Sequence, residues 1–363
     1  MRIENDIQAM ELALQWAARS MFITTPNPRV GCVIIKNGIV IGAGNTQPPG
    51  QAHAEVQAMK DAAERGHDVR GATVYVTLEP CSHFGRTPPC ADALIRAGVA
   101  KVVMAVGDPN PLVGGRGRAM LEAAGIEVVS GVLEEQAREM NIGFMKRMQH
   151  GKPWVRMKAA ASLDGGTALH NGASQWITSA AARDDGHWWR ARACAVLTGI
   201  GTVQEDDPQL NVRAVETPRQ PQRIVVDSRL QISPGARILE GGGTWIVTAV
   251  ADPEKEAPLR EAGAEIIRLP NATGKVDLPA LLQELGARQI NELHVEAGFK
   301  LNGSLVREGC VDELLLYLAP SLLGEARGMF DLPALESLDG RKQLSFHEIK
   351  QIGPDLRILA RFI

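Results

Sequence analysis

The sequence contains few aromatic residues, only five cysteines in 363 residues and no long apolar run. Five cysteines cannot all pair, and their spacing does not suggest a disulfide framework. The apolar runs are too short to cross a bilayer, and the polar start MRIENDIQ lacks the apolar region of a signal peptide. We therefore expect a cytoplasmic protein that does not interact with a membrane.

The chain also lacks an excess of basic residues. Its net charge is −3 and its pI is about 6.3. Because a broad nucleic-acid surface is usually basic, we expect no nucleic-acid partner. No G-x-G-x-x-G motif follows an early strand, so a Rossmann-type dinucleotide site has no support in the sequence.

Predicted strands and helices alternate in two blocks of the chain. The first block opens with a helix behind the cap residue Asn5, and two apolar runs follow, VGCVII and IVIGAG. Asn37-Gly38 between these runs is a strong signal for a hairpin turn. The short polar stretch QHGKP separates this block from the second one. We predict two three-layer α/β domains, over residues 1–147 and 148–363.

Three residues of the first block have the side chains that a catalytic zinc takes as ligands. His53 lies at the predicted start of a helix, and Cys81 and Cys90 follow the strand ATVYVTL. One histidine and two cysteines leave a fourth position for water, whose pKa zinc lowers to about 7. Glu55 is placed to transfer protons without binding the metal. This H-x-E…P-C…C order is typical of zinc deaminases, and we expect one Zn2+ per chain.

Three other interpretations of these residues are open at this point. His53 could be an ordinary helix-start histidine near two buried thiols, although the complete set of four residues argues against that. A structural zinc in a binding protein would need a fourth protein ligand, for which His83 is the nearest candidate. A cytidine or tRNA-adenosine deaminase with an appended domain would usually space its cysteines C-x-x-C, whereas eight residues separate Cys81 from Cys90.

The segment PCSHFGRTPPC, together with Asn27-Pro28 and Val30-Gly31, closely resembles the deaminase domain of the bifunctional riboflavin-biosynthesis deaminase–reductases. The resemblance extends over the whole chain through KAAASLDG, SQWIT, TVQEDDPQLNVR and VEAG. It implies a cytidine-deaminase-like first domain and a dihydrofolate-reductase-like second domain that uses NADPH. The implied substrate is 2,5-diamino-6-(5-phosphoribosylamino)pyrimidin-4-one, which is deaminated to the uracil and then reduced to 5-amino-6-(5-phosphoribitylamino)uracil.

The resemblance also implies the residues that contact the substrate in the first domain. They are Asn27, His83, Arg86, Asp108 and Asn110. The chemistry of these side chains agrees with substrate binding. A phosphate needs a cation and hydrogen-bond donors, which Arg86 and His83 can supply. Asp108 follows a strand at its carboxyl end, where α/β sheets bind ligands. Turn chemistry is the competing interpretation, since Asp, Asn and Pro are common in loops for purely local reasons.

In the second domain the resemblance implies a catalytic lysine, a substrate site and a cofactor site. Lys158, on the first strand, matches an active-site lysine. The residues expected to hold the substrate are Ser174, Arg190, Leu210, Arg213 and Glu296. The residues expected to hold NADPH are Ala160, Trp176, Thr202, Asp206, Ser228, Gly298, Phe299, Lys300, Leu301, Asn302, Gly303 and Ser304. For Trp176 a place in the core is the competing interpretation.

The implied reduction suits these side chains. A ribosylamine can ring-open to an imine, and hydride delivered to the electron-poor C1′ carbon gives the ribityl chain. Arg190 and Arg213 suit a phosphate as bidentate donors, and Lys158 suits the role of a proton donor or an electrostatic aid. We expect a small-molecule phosphoribosyl pyrimidine as the partner, and a homo-oligomer of undetermined size.

Overall fold

The computed structural model describes residues 2–82, 88–111 and 113–363. The chain forms two compact units, Met1–Gly151 and Lys152–Ile363, each with its own sheet and hydrophobic core. The α/β class predicted from the alternation of strands and helices is confirmed. Within the described residues, no helix combines the length and the apolar character that a membrane crossing requires.

The first unit is a five-stranded sheet covered by helices. Its strands are β1 (Gly31–Lys36), β2 (Ile39–Asn45), β3 (Thr73–Val76), β4 (Lys101–Met104) and β5 (Glu127–Ser130). Its helices are α1 (Asp6–Ala18), α2 (Ala54–Glu64), α3 (Cys90–Ala97), α4 (Arg116–Ala123), α5 (Glu134–Met140) and α6 (Ile142–His150). The strand order is β2-β1-β3-β4-β5, in which β1 is antiparallel to both neighbours and β3, β4 and β5 are parallel. The predicted hairpin of β1 and β2 is confirmed.

Small residues let helix α1 lie directly on this sheet. The buried face of α1 consists of Ala9, Met10, Ala13 and Ala17. A Cβ atom on Gly31 would lie only 1.9 Å from the carbonyl oxygen of Ala13. Glycine and alanine therefore allow the backbones of the strand and the helix to approach each other closely.

The second unit is a nine-stranded sheet. Its strands are β6 (Trp154–Ser162), β7 (Ala195–Gly199), β8 (Gln222–Val226), β9 (Trp245–Thr248), β10 (Glu265–Arg268), β11 (Glu292–Val295), β12 (Glu313–Ala319), β13 (Leu344–Ile352) and β14 (Asp355–Phe362). Its α-helices are α7 (Ala180–Arg192), α8 (Ile200–Asp206), α9 (Pro253–Glu261), α10 (Leu278–Ala287) and α11 (Phe299–Arg307). The order is β10-β9-β8-β7-β11-β6-β12-β14-β13. Only the pairs that include β14 are antiparallel, and β14 pairs with β12 on one side and with β13 on the other.

Buried charges join the central strands of the second unit. Arg156, on β6, is 1% exposed and lies between carboxylates of the two neighbouring strands. Its Nε donates to Oε1 of Glu313 at 2.5 Å, and its Nη1 donates to Oε2 of Glu292 at 3.2 Å. Arg192 and Arg361 donate to the same two carboxylates at 2.8 and 2.9 Å. Each buried charge thus has partners of opposite sign, and removing one partner leaves another charge poorly compensated.

We expect Arg156→Leu to lower the free energy of unfolding of the second unit by about 3–5 kcal/mol, because two buried carboxylates lose a partner. Urea unfolding followed by tryptophan fluorescence measures this, since five of the six tryptophans lie in residues 152–363. Arg260→Ala is the control, because the surface pair Arg260–Glu256 on α9 of the same unit should contribute at most about 0.5 kcal/mol. Equal effects of the two substitutions would contradict the role of Arg156.

Candidate active sites

The start of helix α2 places the predicted histidine and glutamate against the sheet. His53 is the N-cap residue of α2, and Glu55 lies in its first turn with only 4% of its surface exposed. The helix packs closely, because a Cβ atom on Gly44 would lie 2.7 Å from the backbone nitrogen of Ala58. The predicted helix start is confirmed, and it directs a buried carboxyl group to the same end of α2 as the histidine.

The two predicted cysteine ligands lie beside the His53 ring. His53 Nδ1 is 3.6 Å from Cys81 Sγ and 3.4 Å from Cys90 Sγ. Cys90 is the first residue of α3, and its N–H donates to Cys81 Sγ at 3.3 Å. Within the described part of the chain, these three residues are the one group of potential ligands found, with their ligand atoms within 4.8 Å of one another.

This geometry fits a tetrahedral zinc ion. With Zn–S bonds of about 2.3 Å and Zn–N bonds of about 2.0–2.1 Å, a nitrogen and a sulfur ligand are separated by about 3.6 Å. The two nitrogen–sulfur distances match that separation. His83, the candidate for a fourth protein ligand, lies outside the described residues.

The electrostatics of this group suit both metal binding and proton transfer. Hydrogen bonds from Cys90 and from His53 lower the pKa of the Cys81 thiol to about 4, although burial opposes them. Burial, together with the charge of Cys81, raises the pKa of Glu55 to about 7. A thiolate is the form of cysteine that binds zinc, and a carboxyl with a pKa near neutrality can both accept and donate a proton.

The predicted substrate contacts that the structure describes in the first unit lie on loops at one edge of the sheet. Asp108 and Asn110 follow β4, and Asn27 precedes β1, whose first residue Gly31 is hydrogen-bonded to Thr77, directly after the antiparallel neighbour β3. Because β3 and β4 are parallel, these loops lie at the same edge. Asp108 Oδ1 accepts the N–H of Asn110 at 2.8 Å, which is the local turn interaction of the competing interpretation. His83 and Arg86 lie outside the described residues.

Two buried carboxylates beside these sites were not indicated by the sequence patterns. Glu79 follows β3 and accepts the N–H of Asp108 at 3.0 Å. Asp227 follows β8, is fully buried, and accepts the N–H groups of Gln231 and Ile232 at 2.6 and 2.8 Å. Each carboxylate holds a loop that carries a predicted contact residue. An acidic residue directly after an apolar strand was the available signal, and it is a weak one.

Parallel pairing brings the predicted residues of the second unit to one edge of its sheet. Strands β8, β7, β11 and β6 are parallel neighbours, so their carboxyl ends lie along the same edge. The N–H of Glu296 donates to the Leu197 carbonyl at 2.9 Å. A Cβ atom on Gly298 would lie 3.5 Å from Thr202 Oγ1. Ser228 follows β8 at this edge.

Glu296 and Arg190 form the charged centre of this edge. Arg190 donates through Nε to Glu296 Oε1 and through Nη2 to Oε2 at 2.8 Å. Although burial opposes it, Arg190 holds the pKa of Glu296 well below its usual value. Burial lowers the pKa of Lys158 on β6, and Glu296 counteracts that shift. Ala160 lies two residues further along β6.

The two arginines predicted to bind phosphate meet at Asn211 but differ in their partners. Arg190 Nη1 donates to the Asn211 carbonyl at 3.1 Å, so the guanidinium is already engaged by Glu296 and Asn211. Arg213 is exposed and donates to Asn211 Oδ1 at 3.1 Å. Beside them Leu210 is buried with a φ of +48°, and Ser174 is half-buried in the loop before α7.

Trp176 is not a core residue. It is 68% exposed, and the Arg183 guanidinium lies 4.4 Å from the centre of its ring. The neighbouring Gln175 donates to Oδ1 of Asp206 at 3.4 Å, which links the loop before α7 to the end of α8. The Ser228 hydroxyl accepts the N–H of Val276 at 3.1 Å.

Helix α11 begins at the carboxyl edge. Gly298 is its N-cap, and the first intrahelical N–H bond runs from Asn302 to the Gly298 carbonyl at 3.1 Å. The N–H groups of Phe299, Lys300 and Leu301 therefore have no intrahelical acceptor. Free N–H groups at a helix start are suited to an anion such as a cofactor phosphate.

Asn302 and Gly303, the next two residues of α11, are buried. Asn302 donates to the Met329 carbonyl at 3.3 Å, and a Cβ atom on Gly303 would lie 2.2 Å from the carbonyl oxygen of Asp331. The Ser304 hydroxyl donates to the carbonyl one turn earlier in the helix. Asn302 and Gly303 therefore hold α11 against the segment of Met329 and Asp331, whereas the Ser304 bond lies within the helix.

Two family models match the chain. The model described as "Cytidine and deoxycytidylate deaminase zinc-binding region" matches residues 3–106, which contain His53, Cys81 and Cys90. The model described as "RibD C-terminal domain" matches residues 153–358. The predicted zinc-binding deaminase domain and the predicted reductase domain are both confirmed.

Similar proteins match over nearly the full length. The riboflavin biosynthesis protein RibD of Escherichia coli K12 is 47% identical over 361 residues, 96% of each chain. The structure of Acinetobacter baumannii RibD covers 99% of both chains with a TM-score of 0.89 and 41% identity. A Thermotoga maritima structure, named a diaminohydroxyphosphoribosylaminopyrimidine deaminase and 5-amino-6-(5-phosphoribosylamino)uracil reductase, covers 99% of both chains with a TM-score of 0.87 and 31% identity.

These matches confirm the predicted family and the folds predicted for the two halves. A match that continues through both halves does not fit a cytidine or tRNA-adenosine deaminase with an unrelated appended domain. The chain therefore belongs to the RibD family of riboflavin biosynthesis proteins.

Proposed function

We propose that residues 1–147 deaminate 2,5-diamino-6-(5-phosphoribosylamino)pyrimidin-4-one and that residues 148–363 reduce the resulting uracil to 5-amino-6-(5-phosphoribitylamino)uracil with NADPH. The observation that carries the proposal is the zinc-fitting arrangement of His53, Cys81 and Cys90 beside the buried Glu55. Membership of the RibD family, whose members named above span both halves, supports the second activity on the same chain.

In the deaminase, the residues of the chain hold the metal and move protons. Zinc held by His53, Cys81 and Cys90 supplies Lewis-acid activation of the attacking water. Glu55 takes a proton from that water, because its carboxyl has a pKa of about 7 and can be ionised before the reaction. The same carboxyl passes this proton to the pyrimidine ring nitrogen. It then takes the remaining proton of the hydroxyl that has been added to the ring carbon and gives it to the amino nitrogen, which leaves as ammonia while the carbonyl forms.

Loops at the edge of the first sheet bind the substrate in this proposal. Asn27 hydrogen-bonds the pyrimidine, and Asp108 and Asn110 contact the substrate from the loop after β4. His83 and Arg86, in the segment between the two cysteines, supply a donor and a cation to the phosphate. The position of the loops at the carboxyl edge supports this assignment, because ligands of α/β sheets bind there.

In the reductase, Lys158 is the proton donor or electrostatic aid to the reaction. NADPH supplies the hydride that converts the ribosyl group to a ribityl group. The negative charge of Glu296 favours the protonated form of Lys158, and Arg190 orients Glu296 through two hydrogen bonds.

Ser174 and Leu210 line the substrate site in this proposal. Arg213, which is exposed, is the better placed of the two arginines to receive the substrate phosphate.

The cofactor binds along the same edge in this proposal. The free N–H groups of Phe299, Lys300 and Leu301 receive the phosphates. The other residues proposed for this part of the cofactor site are Gly298, Asn302, Gly303 and Ser304. The other cofactor contacts are Ala160, Trp176, Thr202, Asp206 and Ser228. The ring of Trp176 is 68% exposed although Arg183 lies over it, and this exposure supports its role, since an exposed aromatic surface can pack against a ligand. We further propose a homo-oligomer in the cytoplasm.

The function as a whole is tested by incubating purified chain with zinc, NADPH and the phosphoribosyl diaminopyrimidine. We expect the mass of the deaminated and reduced ribityl product. Deaminated but unreduced product would support the first half of the proposal and contradict the second. Unchanged substrate in the presence of confirmed zinc would contradict both.

We expect Glu55→Gln to slow deamination at least about a hundredfold, because the amide cannot shuttle the proton. Zinc content, measured by mass spectrometry of the metal, should stay at one ion per chain. Reduction of the deaminated uracil, added directly, should proceed at the normal rate. Unimpaired ammonia release by this variant would refute the role of Glu55.

We expect Lys158→Met to lower kcat of the reductase at least about a hundredfold, because the substituted side chain can neither donate a proton nor carry charge. The loss of NADPH absorbance with the deaminated uracil measures this rate, and deamination should be unchanged. Lys350→Met, at an exposed lysine of β13, is the matched control and should keep full reductase activity. If both variants are fully active, Lys158 has no role in reduction.

A further inference from the structure

Glu79 lies between the zinc-ligand segment and the loop that follows β4. It precedes Pro80-Cys81 in the chain, and its residue surface is only 5% exposed. Its backbone N–H donates to the Val106 carbonyl at 2.9 Å, directly beyond the end of β4. The backbone on both sides of Glu79 is therefore tied to elements of the deaminase site.

The Glu79 carboxylate accepts N–H groups from both ends of that loop. Oε2 accepts the N–H of Asp108 at 3.0 Å and the N–H of Gly115 at 3.0 Å. Oε1 accepts the N–H of Arg118, in the first turn of α4, at 3.1 Å. Among the described residues, the partners found for the carboxylate are all backbone N–H groups. Three such bonds and the start of a helix stabilise a buried negative charge.

The same loop has no room for side chains at two glycines. A Cβ atom on Gly114 would lie 2.6 Å from the carbonyl oxygen of Asp108. A Cβ atom on Gly117 would lie 2.0 Å from the carbonyl oxygen of Pro80. The described residues of the loop, 107–111 and 113–117, are thus held against the zinc-ligand segment by backbone contact and by one carboxylate.

We propose that Glu79 is a positioning residue for the deaminase substrate. Its carboxylate sets the conformation of the loop after β4, so that Asp108 and Asn110 meet the substrate when it lies at the zinc site. The proposal rests on the proposed function of the first unit, since it assumes that Asp108 and Asn110 are substrate contacts. Glu79 itself does not touch the reacting atoms.

The test compares Glu79→Ala and Glu79→Gln with the wild type in the full-length, zinc-loaded chain. We expect KM for deamination to rise at least about tenfold in Glu79→Ala, with kcat within about threefold of the wild type, because the loop contributes binding in the ground state and in the transition state alike. Glu79→Gln keeps one acceptor oxygen, so its KM should lie between those of the other two. Zinc content and reduction of the added uracil should be normal in both variants.

A double-mutant cycle separates positioning from simple support of the fold. If Glu79 acts through Asp108, then Asp108→Ala should change kcat/KM by less than about twofold in the Glu79→Ala background, although it impairs the wild type. Asp61→Ala is the matched control, because the Asp61 carboxylate also accepts a backbone N–H, from Ala43 at 2.9 Å, away from the loop. Its KM should stay within about twofold of the wild-type value.

Fully additive effects of Glu79→Ala and Asp108→Ala would overturn the proposal. So would unchanged KM in both Glu79 variants, or a loss of zinc in proportion to the loss of activity, which would make Glu79 a support of the metal ligands. Should Glu79→Ala fail to fold, as the loss of a cooperative unfolding transition of residues 1–151 would reveal, the KM of Glu79→Gln decides alone. A wild-type chain that does not deaminate the pyrimidine would instead refute the proposed function.

Discussion

Parallel pairing between neighbouring strands is the constraint on which the candidate sites of both units depend. In the first unit β3 and β4 end at one edge, and in the second unit β8, β7, β11 and β6 do so. A parallel ladder aligns the carboxyl ends of its strands, so that loops from distant parts of the chain become neighbours. Glu79 and Asp108, or Thr202 and Gly298, approach each other for this reason. Polar groups that are far apart in the chain therefore lie close together at this edge.

Buried carboxylates at and behind these edges have two different kinds of partner. Glu79 and Asp227 accept backbone N–H groups and so determine the shape of a loop. Glu292 and Glu313 accept guanidinium groups and so join strands and helices of the second unit. Because an unpaired buried charge is costly, each carboxylate ties its surroundings to one conformation.

Much of the local structure and part of the candidate sites could be predicted from the sequence. The first helix behind the cap residue Asn5 and the hairpin at Asn37-Gly38 follow from capping and turn chemistry, which act within a few residues. The zinc ligands could be proposed because few side-chain types bind zinc and their order in the chain is distinctive. The partner of Arg190 could not be predicted, since Glu296 is distant in the chain and only the packing of α7 near β11 brings the two together.

The sequence by itself therefore determined the two α/β halves, the zinc-ligand set and the family, because periodicity, capping and ligand chemistry are properties of the residues themselves. Only the tertiary structure decided that Glu79 and Asp227 hold loops, that Arg190 is engaged by Glu296, and that Asn302 and Gly303 face inward from α11. The physical reason is that these roles depend on distances of about 3 Å between groups far apart in the chain. Strand register and helix packing set those distances, and neither can be read from local sequence.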